Sequence, residues 1–371
     1  MDFSKYGPAD PEWTAYAATL PPRPTFDSQD AEKAHYNGLR EKLAAAGIAA
    51  FDGKIVTHDY TIPTRDGASI PARTYRHKDH EATQGPGAVY IHLHGGGFFF
   101  GTLASEDGIC SRITADTGAL VLNVDYRHTP EFAYPTMYHD VQDAFAWLHQ
   151  QIASDDPVLG GGRLDPKKVV IGGISAGGQL TASLVVAHHV KLPGCEILHD
   201  LPAPAGQVLM IPPVVAPQHY EKIQAALAGP SSMVECAEAP VIPAWRIKFF
   251  MDLKFGDVEP GPEDFVVSPG NVPVEKLKGL PPTTFGVCGM DPLRDEALVW
   301  AKWLTEQGLA RCPGSVPTNI HVIPGFPHGF RANGARLSEK ACKRWDDIMH
   351  GGIKWALSEP KATGVFEIKE Q

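Results

Sequence analysis

Short apolar segments recur along the chain from residue 87 onward, and helical lengths separate the first three of them. These segments cover 88–93, 119–124, 169–171, 208–211, 284–287 and 320–323. Between the second and third, apolar residues recur at helical spacing, at Val141, Phe145, Leu148 and Ile152. Continuous apolar runs without alternation are typical of parallel strands that are buried on both faces. The pattern therefore predicts an α/β fold with a mostly parallel central sheet flanked by helices.

A helix is predicted near the N-terminus, over residues 25–47. Asp27 or Ser28 can cap its start, and Gly47 can end it. Apolar residues follow a helical period at Tyr36, Leu39, Leu43 and Ala46. This segment precedes the alternating region and is not part of it.

A β-hairpin is predicted over residues 54–76. Its first half alternates between apolar and polar residues, and an Asp-Gly turn lies at Asp66-Gly67. Much later, between 212 and 282, the strand and helix alternation stops, and prolines and aromatic residues accumulate. We interpret part of this second stretch as an insertion folded over one end of the sheet.

Composition and charge exclude several classes of protein. The chain has 371 residues, 43% of them hydrophobic, which is enough for one large core with an added lid. The formal net charge is −10 and no basic stripe is present, which argues against a nucleic-acid partner. We find no signal peptide and no apolar stretch long enough for a membrane span. We therefore expect no membrane association.

The cysteines give no indication of a disulfide framework or a zinc site. Six are present, they are far apart, and no C-x-x-C pair occurs. This usage is typical of a reducing compartment, so we expect a cytoplasmic protein.

A candidate nucleophile stands in Gly173-Ile174-Ser175-Ala176-Gly177, between a predicted strand and a predicted helix. The G-x-S-x-G pattern alone is weak, because glycine-rich turns produce it by chance. A sharp strand-to-helix turn, however, exposes a serine hydroxyl, and small neighbours permit the strained backbone. The helix start adds free N–H groups and the positive end of a dipole. The setting therefore predicts Ser175 as a nucleophile.

A glycine run follows the first apolar segment, as His94-Gly95-Gly96-Gly97. Without side chains, the backbone N–H groups of such a run can point at a substrate. In enzymes with the serine turn just described, one oxyanion donor is the N–H after the nucleophile, here that of Ala176, and others come from an HGGG loop after an earlier strand. The alternative is a glycine-rich turn that binds nothing.

An acid and a base are expected after the serine, in the order Asp or Glu and then His. Asp291 stands just past the apolar run 284–287, and His328 follows the last run in a loop rich in glycine and proline. The carboxyl ends of strands are where open α/β sheets bind their ligands. Asp295 and Glu296 remain rivals for the acid.

Five pieces of this sequence, taken together and in order, resemble a known family. They are the glycine run 94–97, Asp125-Tyr126-Arg127-His128-Thr129-Pro130-Glu131, residues 173–178, residues 291–296 and His328-Gly329-Phe330. The chain is similar here to the hormone-sensitive lipase-like carboxylesterases, which have the α/β-hydrolase fold. The resemblance covers about residues 87–332.

The resemblance implies a complete catalytic apparatus that needs no metal or cofactor. It implies Ser175 as nucleophile, Asp291 as orienting acid and His328 as base. Its implied oxyanion donors are the backbone N–H groups of Gly96, Gly97 and Ala176. It also implies a core of residues 51–214 and 266–371, and a mainly helical cap formed by 1–50 and 215–265. Family members often form homodimers through the last strand and helix, so the resemblance leaves a homodimer as one alternative for this chain.

Several residues depart from the family pattern. Ile174 replaces the usual Asp before the serine, Gln179 stands where Asn is common, and His128-Thr129 replaces Leu-Ala. A drier pocket follows from Ile174, which cannot form a side-chain hydrogen bond. We expect substrate contacts from Ile174, Phe98, Phe99 and Phe250, although core packing is an equal alternative for the aromatic residues.

The predicted function is a serine carboxylesterase that acts on short- to medium-chain esters, or on small aromatic or secondary-metabolite esters, through an acyl-enzyme. The same triad could serve a deacetylase, a lactonase or an amidase. A non-catalytic small-molecule binding protein, like the plant gibberellin receptors, is a third alternative. His92 and His94 lie two residues apart and could share a face, but no third metal ligand follows at a suitable spacing.

Overall fold

The predicted mostly parallel sheet is confirmed by a computed structural model, which describes residues 1–79, 87–154, 159, 163–306, 315–333 and 337–371. Within these residues the sheet has nine strands in the order β1-β2-β4-β3-β5-β6-β7-β8-β9. The strands are β1 (Ile55–Pro63), β2 (Ser69–His77), β3 (Gly87–Leu93), β4 (Leu120–Val124), β5 (Leu164–Ile174), β6 (Gly206–Met210), β7 (Thr283–Met290), β8 (Thr318–Pro327) and β9 (Ile368–Glu370). The strands β1, β2 and β4 pair antiparallel, and all later pairs are parallel.

Helices cover both faces of this sheet. They are α1 (Pro11–Ala17), α2 (Gln29–Ile48), α3 (Leu103–Thr117), α4 (Thr136–Ala153), α5 (Ala176–Val190), α6 (Glu221–Ala226), α7 (Ser232–Glu235), α8 (Ala244–Phe255), α9 (Arg294–Glu306) and α10 (Glu339–Leu357). Among the helices of the described residues, none is both long enough and apolar enough to cross a bilayer.

The continuous apolar runs have the expected physical basis. In β3, Val89 and Ile91 belong to the apolar cluster shared with α4, α5 and α9, whereas Tyr90 belongs to the cluster shared with α3 and α10. Successive side chains of a strand point to opposite faces, so burial on both faces requires an apolar residue at every position.

The predicted hairpin is confirmed, since β1 and β2 pair antiparallel from Ile55 to Pro63. The predicted N-terminal helix is also present, and the Ser28 side chain accepts a hydrogen bond from the N–H of Ala31 at its start. Its predicted end is wrong, because α2 continues through Gly47 to Ile48. A Cβ added at Gly47 would lie 3.6 Å from the Cα of Gly108, so this glycine lies where α2 and α3 pack closely.

Four parallel strands end directly before residues that the sequence singles out. Strands β3, β5, β7 and β8 end at Leu93, Ile174, Met290 and Pro327. The next residues are His94, Ser175, Asp291 and His328. Because parallel strands have their carboxyl ends at one edge of the sheet, the fold gathers these four residues on one side.

The predicted insertion corresponds to the chain between β6 and β7, which contains α6, α7 and α8. Phe250 of α8 packs with Phe99 and Phe100 in a small apolar cluster beside the glycine run. In the described part of the chain, five cysteines have free thiols: Cys110, Cys195, Cys236, Cys288 and Cys342. Cys312 lies outside the described residues.

Candidate active site

Ser175 occupies a strained turn between β5 and α5. Its backbone has φ 54° and ψ −116°, in the region that residues with a side chain rarely adopt. The N–H of Ser175 donates a hydrogen bond of 2.8 Å to the carbonyl of Met210, which fixes the turn to the neighbouring strand. Strained non-glycine backbone of this kind persists where the surrounding structure enforces it, as happens at functional sites.

Glycines on both sides of the serine let the turn pack against the sheet. A Cβ added at Gly173 would overlap the backbone of Gly177, and one added at Gly177 would overlap the carbonyl group of Leu93. No side chain fits at either position. The G-x-S-x-G pattern therefore follows from steric crowding as well as from chemistry.

A chain of hydrogen bonds joins the three residues predicted as a triad. The Ser175 hydroxyl oxygen lies 2.8 Å from Nε2 of His328, and Nδ1 of His328 lies 2.8 Å from Oδ2 of Asp291. The other oxygen of Asp291 accepts a 2.9 Å hydrogen bond from the N–H of Leu293. All three side chains are buried, with exposures of 8% for Ser175, 6% for His328 and 1% for Asp291.

The two rival acids have other partners. Asp295 binds Nε of Arg294 at 2.7 Å and accepts a hydrogen bond from the N–H of Ser232 at 2.7 Å. Glu296 accepts a 2.5 Å hydrogen bond from the N–H of Val214, and burial raises its pKa to about 8. Asp291 alone among the three candidates lies within hydrogen-bonding distance of His328.

The glycine run forms a tight loop with unpaired backbone donors. Gly96 has φ 137° and Gly97 has φ 64°, which are conformations that favour glycine. The carbonyl of Gly96 accepts the N–H groups of Phe99 and Phe100 and so closes the loop. Among the described residues, the N–H groups of Gly96 and Gly97 meet no acceptor. Ala176 is the first residue of α5, so its N–H has no intrahelical acceptor either.

A small apolar cavity of about 20 Å³ lies over the serine. Its lining includes Ser175, Ala176, Gly97, Phe98 and Phe250 among the predicted site residues. Gly96, Phe99 and Ile174 are not part of that lining. The Phe99 ring packs against Phe100, Phe249 and Phe250, and Ile174 lies against Gly95. Substrate contacts of Phe99 and Ile174 stay predictions.

Other cavity residues were missed by the sequence analysis, most of them in the insertion between β6 and β7. They are Gln179, Pro213, Val215, Pro217, Ile242, Ile247, Met251 and Leu293. The insertion shows no clear periodicity, so the sequence does not indicate which of its apolar residues face the serine.

One polar cavity residue has an unusual partner. The Gln179 side-chain amide donates to the carbonyl of Val267 at 2.7 Å, and its oxygen accepts a 3.2 Å hydrogen bond from Nζ of Lys254. Lys254 is fully buried between the rings of Phe98 and Phe255, and burial lowers its pKa to about 7. In the sequence, the signal for this contact is a single lysine among the aromatic and apolar residues of 249–255.

The chain is similar in sequence and in fold to known ester hydrolases. A family model described as an α/β hydrolase fold matches residues 90–332. The versiconal hemiacetal acetate esterase of Dothistroma septosporum is 31% identical over 335 residues, which cover 90% of each chain. The ethyl acetate hydrolase of Pseudomonas putida is 28% identical over 76% of this chain and 77% of its own. The crystal structure of vibralactone cyclase has a TM-score of 0.79 and 27% identity, and the match covers 95% of this chain and 96% of that one.

Proposed function

Because the chain belongs to the α/β-hydrolase fold family, in its hormone-sensitive lipase-like group, and is an ester hydrolase, we propose that Ser175 is its nucleophile, His328 its base and Asp291 its orienting acid. The observation that carries the proposal is the unbroken hydrogen-bond chain from the serine hydroxyl to the buried carboxylate. A nucleophile, a base and a third orienting group in contact are the signature of an activated serine.

The mechanism follows from which atoms can donate. The Asp291 carboxylate accepts, so Nδ1 of His328 carries the proton and Nε2 is free to take the proton of Ser175 as the hydroxyl attacks the ester carbonyl. The imidazolium then protonates the leaving alcohol. Water attacks the acyl-enzyme with His328 again as base, which releases the acid and restores the serine.

The negative charge on the former carbonyl oxygen needs donors that are already in place. The proposal assigns this role to the backbone N–H groups of Gly96, Gly97 and Ala176. Support comes from the free N–H groups of the glycine loop and from the helix start at Ala176. Fixed donors of this kind are worth several kcal/mol in a site that excludes water, typically about 3–4 kcal/mol for one donor.

The substrate class that we propose is esters of short acyl chains, at the small end of the predicted range. The cavity over Ser175 has a volume of about 20 Å³, which is close to the space of one water molecule. Phe250 and Leu293 are among the apolar residues that line it. Two relatives have names that refer to acetate esters, and this agrees with a site for small acyl groups.

The predicted cap is part of the proposal, with residues 1–50 and 215–265 covering a core of 51–214 and 266–371. Its two pieces make direct contact near the site, since Arg246 of α8 forms a 2.6 Å ion pair with Glu32 of α2. From α2, Arg40 donates a 3.0 Å hydrogen bond to the carbonyl of Gly95 in the glycine loop. The cytoplasmic location and the homodimer stay predictions.

A second candidate is acyl transfer to a hydroxyl group of the same substrate, which would form a lactone. The apolar lining around Ser175 favours it, because a dry acyl-enzyme reacts with whatever nucleophile is held beside it. The similarity to vibralactone cyclase points in the same direction. Hydrolysis remains the first candidate because both curated relatives named above are called esterase or hydrolase, whereas the cyclase is a single structural match.

The test is hydrolysis of p-nitrophenyl esters from acetate to palmitate by wild type and by Ser175→Ala. A matched control is Ser183→Ala, which makes the same substitution at a buried serine on α5 away from the cavity. We expect wild type and Ser183→Ala to hydrolyse the short esters and Ser175→Ala to lose nearly all activity. Activity that persists in Ser175→Ala would disprove the nucleophile. A hydroxyester substrate that yields lactone in place of free acid would favour the second candidate.

A further inference from the structure

Three side chains beside the glycine loop form a cluster that the proposed reaction does not use. They are His94, Asp125 and His128, and one ligand atom of each lies within 4.8 Å of the others. The sheet brings them together, because Leu93 of β3 pairs with Val124 of β4 in parallel register. His94 and Asp125 are the next residues of the two strands, and His128 follows three positions later.

The distances suit a tetrahedral metal ion. Nε2 of His94 lies 3.2 Å from Nε2 of His128 and 3.8 Å from Oδ1 of Asp125. Bonds of about 2.0–2.1 Å to a tetrahedral zinc place the ligand atoms roughly 3.3–3.4 Å apart. The two imidazole nitrogens already have nearly this separation, whereas the carboxylate has to move closer, since the three ligand atoms are spread over up to 4.8 Å.

The ring of His94 is oriented as a metal ligand would be. Its Nδ1 lies 3.1 Å from the carbonyl oxygen of Gly95, which can only accept a hydrogen bond. Nδ1 therefore carries the proton, and the lone pair of Nε2 points at His128. Histidines that bind metals usually donate their second N–H to a carbonyl or a carboxylate in this way.

The hydrogen bonds of the described residues leave one buried acceptor in the cluster unused. Oδ1 of Asp125 is buried and has no hydrogen-bond partner there, whereas the two histidines can pair with each other. A buried carboxylate oxygen without a donor is costly. A cation between the three groups would satisfy the oxygen and both ring nitrogens together.

The positive charges near the cluster have anionic partners, so they oppose an added cation less than unpaired charges would. Asp125 is 22% exposed at its side chain, whereas His94 is fully buried, so the carboxylate forms the outer side of the site. The nearby cations are already paired, Lys33 with Glu131 and Arg40 with Glu106, each at 2.7 Å.

We propose that His94, Asp125 and His128 bind one divalent transition-metal ion of the zinc class at the base of the glycine loop. Two imidazoles and one carboxylate are a ligand set that zinc accepts, with a fourth position left for water. The partners of His94 are thus Asp125 and His128, and not His92, which pairs with Glu106 at 2.9 Å. Because Gly95 directly follows a ligand, the ion would restrain the loop and raise the stability of the folded chain.

The test uses the tag-free full chain, freed of metal by a chelator and titrated with Co²⁺ and with Zn²⁺. We expect one equivalent to bind, with the visible absorption of tetrahedral Co²⁺ and a higher melting temperature. His128→Leu, which removes a ligand, should weaken binding by at least the roughly 10–100-fold that loss of an outer-shell partner costs, as should Asp125→Asn. The matched control is His58→Leu, at an exposed histidine of β1, and it should bind as wild type does.

Two results would overturn the proposal. One is a wild-type chain that binds neither ion at micromolar concentration, and the other is a folded His128→Leu that binds as tightly as wild type. X-ray absorption of the zinc-loaded wild type tests the proposal without any variant. It should show two imidazole nitrogens at about 2.0–2.1 Å, and one imidazole or none would contradict the assignment.

Discussion

Gly97 lies directly beneath the ring of Phe250, so closely that a Cβ added at Gly97 would overlap the ring. The contact joins two features of one cavity. On one side is a backbone N–H proposed to bind the oxyanion, and on the other is an aromatic ring that lines the cavity. Because the two residues touch, a side chain added at Gly97 also displaces the Phe250 ring, whereas shortening Phe250 leaves the glycine loop without a new clash.

Gly97→Ala should lower kcat by about a hundredfold or more, because the added methyl group displaces the loop and its N–H group. The control is Gly118→Ala, at the end of α3, where φ is 73° and an added Cβ meets nothing within 4 Å. That change introduces similar backbone strain, about 1 kcal/mol or more of stability, away from the site. Steady-state kinetics should show a normal kcat for the control. Equal losses in both variants would mean that the loop has no catalytic role.

Phe250→Ala should shift preference toward longer acyl chains by enlarging the cavity over Ser175. We expect the ratio of kcat/KM for hexanoate to that for acetate to rise by about tenfold or more, the usual worth of a few methylene groups in a pocket. Phe249→Ala is the matched control, since Phe249 is the neighbouring aromatic residue on α8 and does not line the cavity. If the ratio stays constant in Phe250→Ala, or changes equally in the control, Phe250 does not line the acyl pocket.

Asp291→Asn should reduce kcat by about 10⁴-fold, because an amide favours the wrong tautomer of His328. Asp295→Asn makes the same substitution at the rival acid, which binds Arg294 and the N–H of Ser232 and does not reach His328. Measured per folded molecule, its kcat should stay near that of wild type. A larger catalytic loss in Asp295→Asn would reverse the assignment of the acid.

The buried carboxyl group of Glu296 should make the free energy of unfolding fall as the pH rises. Burial raises the pKa of its carboxyl group from 4.5 to about 8, so the folded state binds more protons than the unfolded state between these values. Stability must therefore decrease as the pH rises through that window, by an amount on the order of a few kcal/mol. Glu296→Gln keeps the oxygen that accepts from Val214 and resembles the protonated acid. Urea unfolding at several pH values should show that the free energy of unfolding of the variant rises relative to that of wild type as the pH approaches 8. A constant difference between the two free energies across this range would contradict the assignment.

The residues that the sequence could identify are those that directly follow apolar strands. Ser175, Asp291 and His328 each stand immediately after a strand of the sheet, and strands buried on both faces are easy to recognise. Their order along the chain, serine and then aspartate and then histidine, then indicated a nucleophile, an orienting acid and a base. The contact between His328 and Asp291 depends on the pairing of β7 with β8, which the linear pattern predicts only as a fold class.

Other features are decided by packing that leaves no periodic signal. In the run Phe98-Phe99-Phe100, only Phe98 lines the cavity, because the loop reverses direction within three residues. Gly47 looked like a helix end and is instead a point of close contact between α2 and α3. Strand β9 has three residues and is too short for any pattern. The proposed metal ligands follow two different strands, and a turn separates Asp125 from His128. Their spacing along the sequence therefore does not show that they lie close together.

The walls of the cavity and the proposed catalytic residues come from different parts of the chain. Ile242, Ile247, Phe250 and Met251 lie within ten residues of one insertion, whereas Ser175, Asp291 and His328 are anchored to strand ends. An insertion can change its residues without disturbing the register of the strands. Substitutions in the insertion can therefore change substrate choice without changing the residues proposed for the reaction. Exchanging residues 242–251 between relatives is the corresponding engineering experiment.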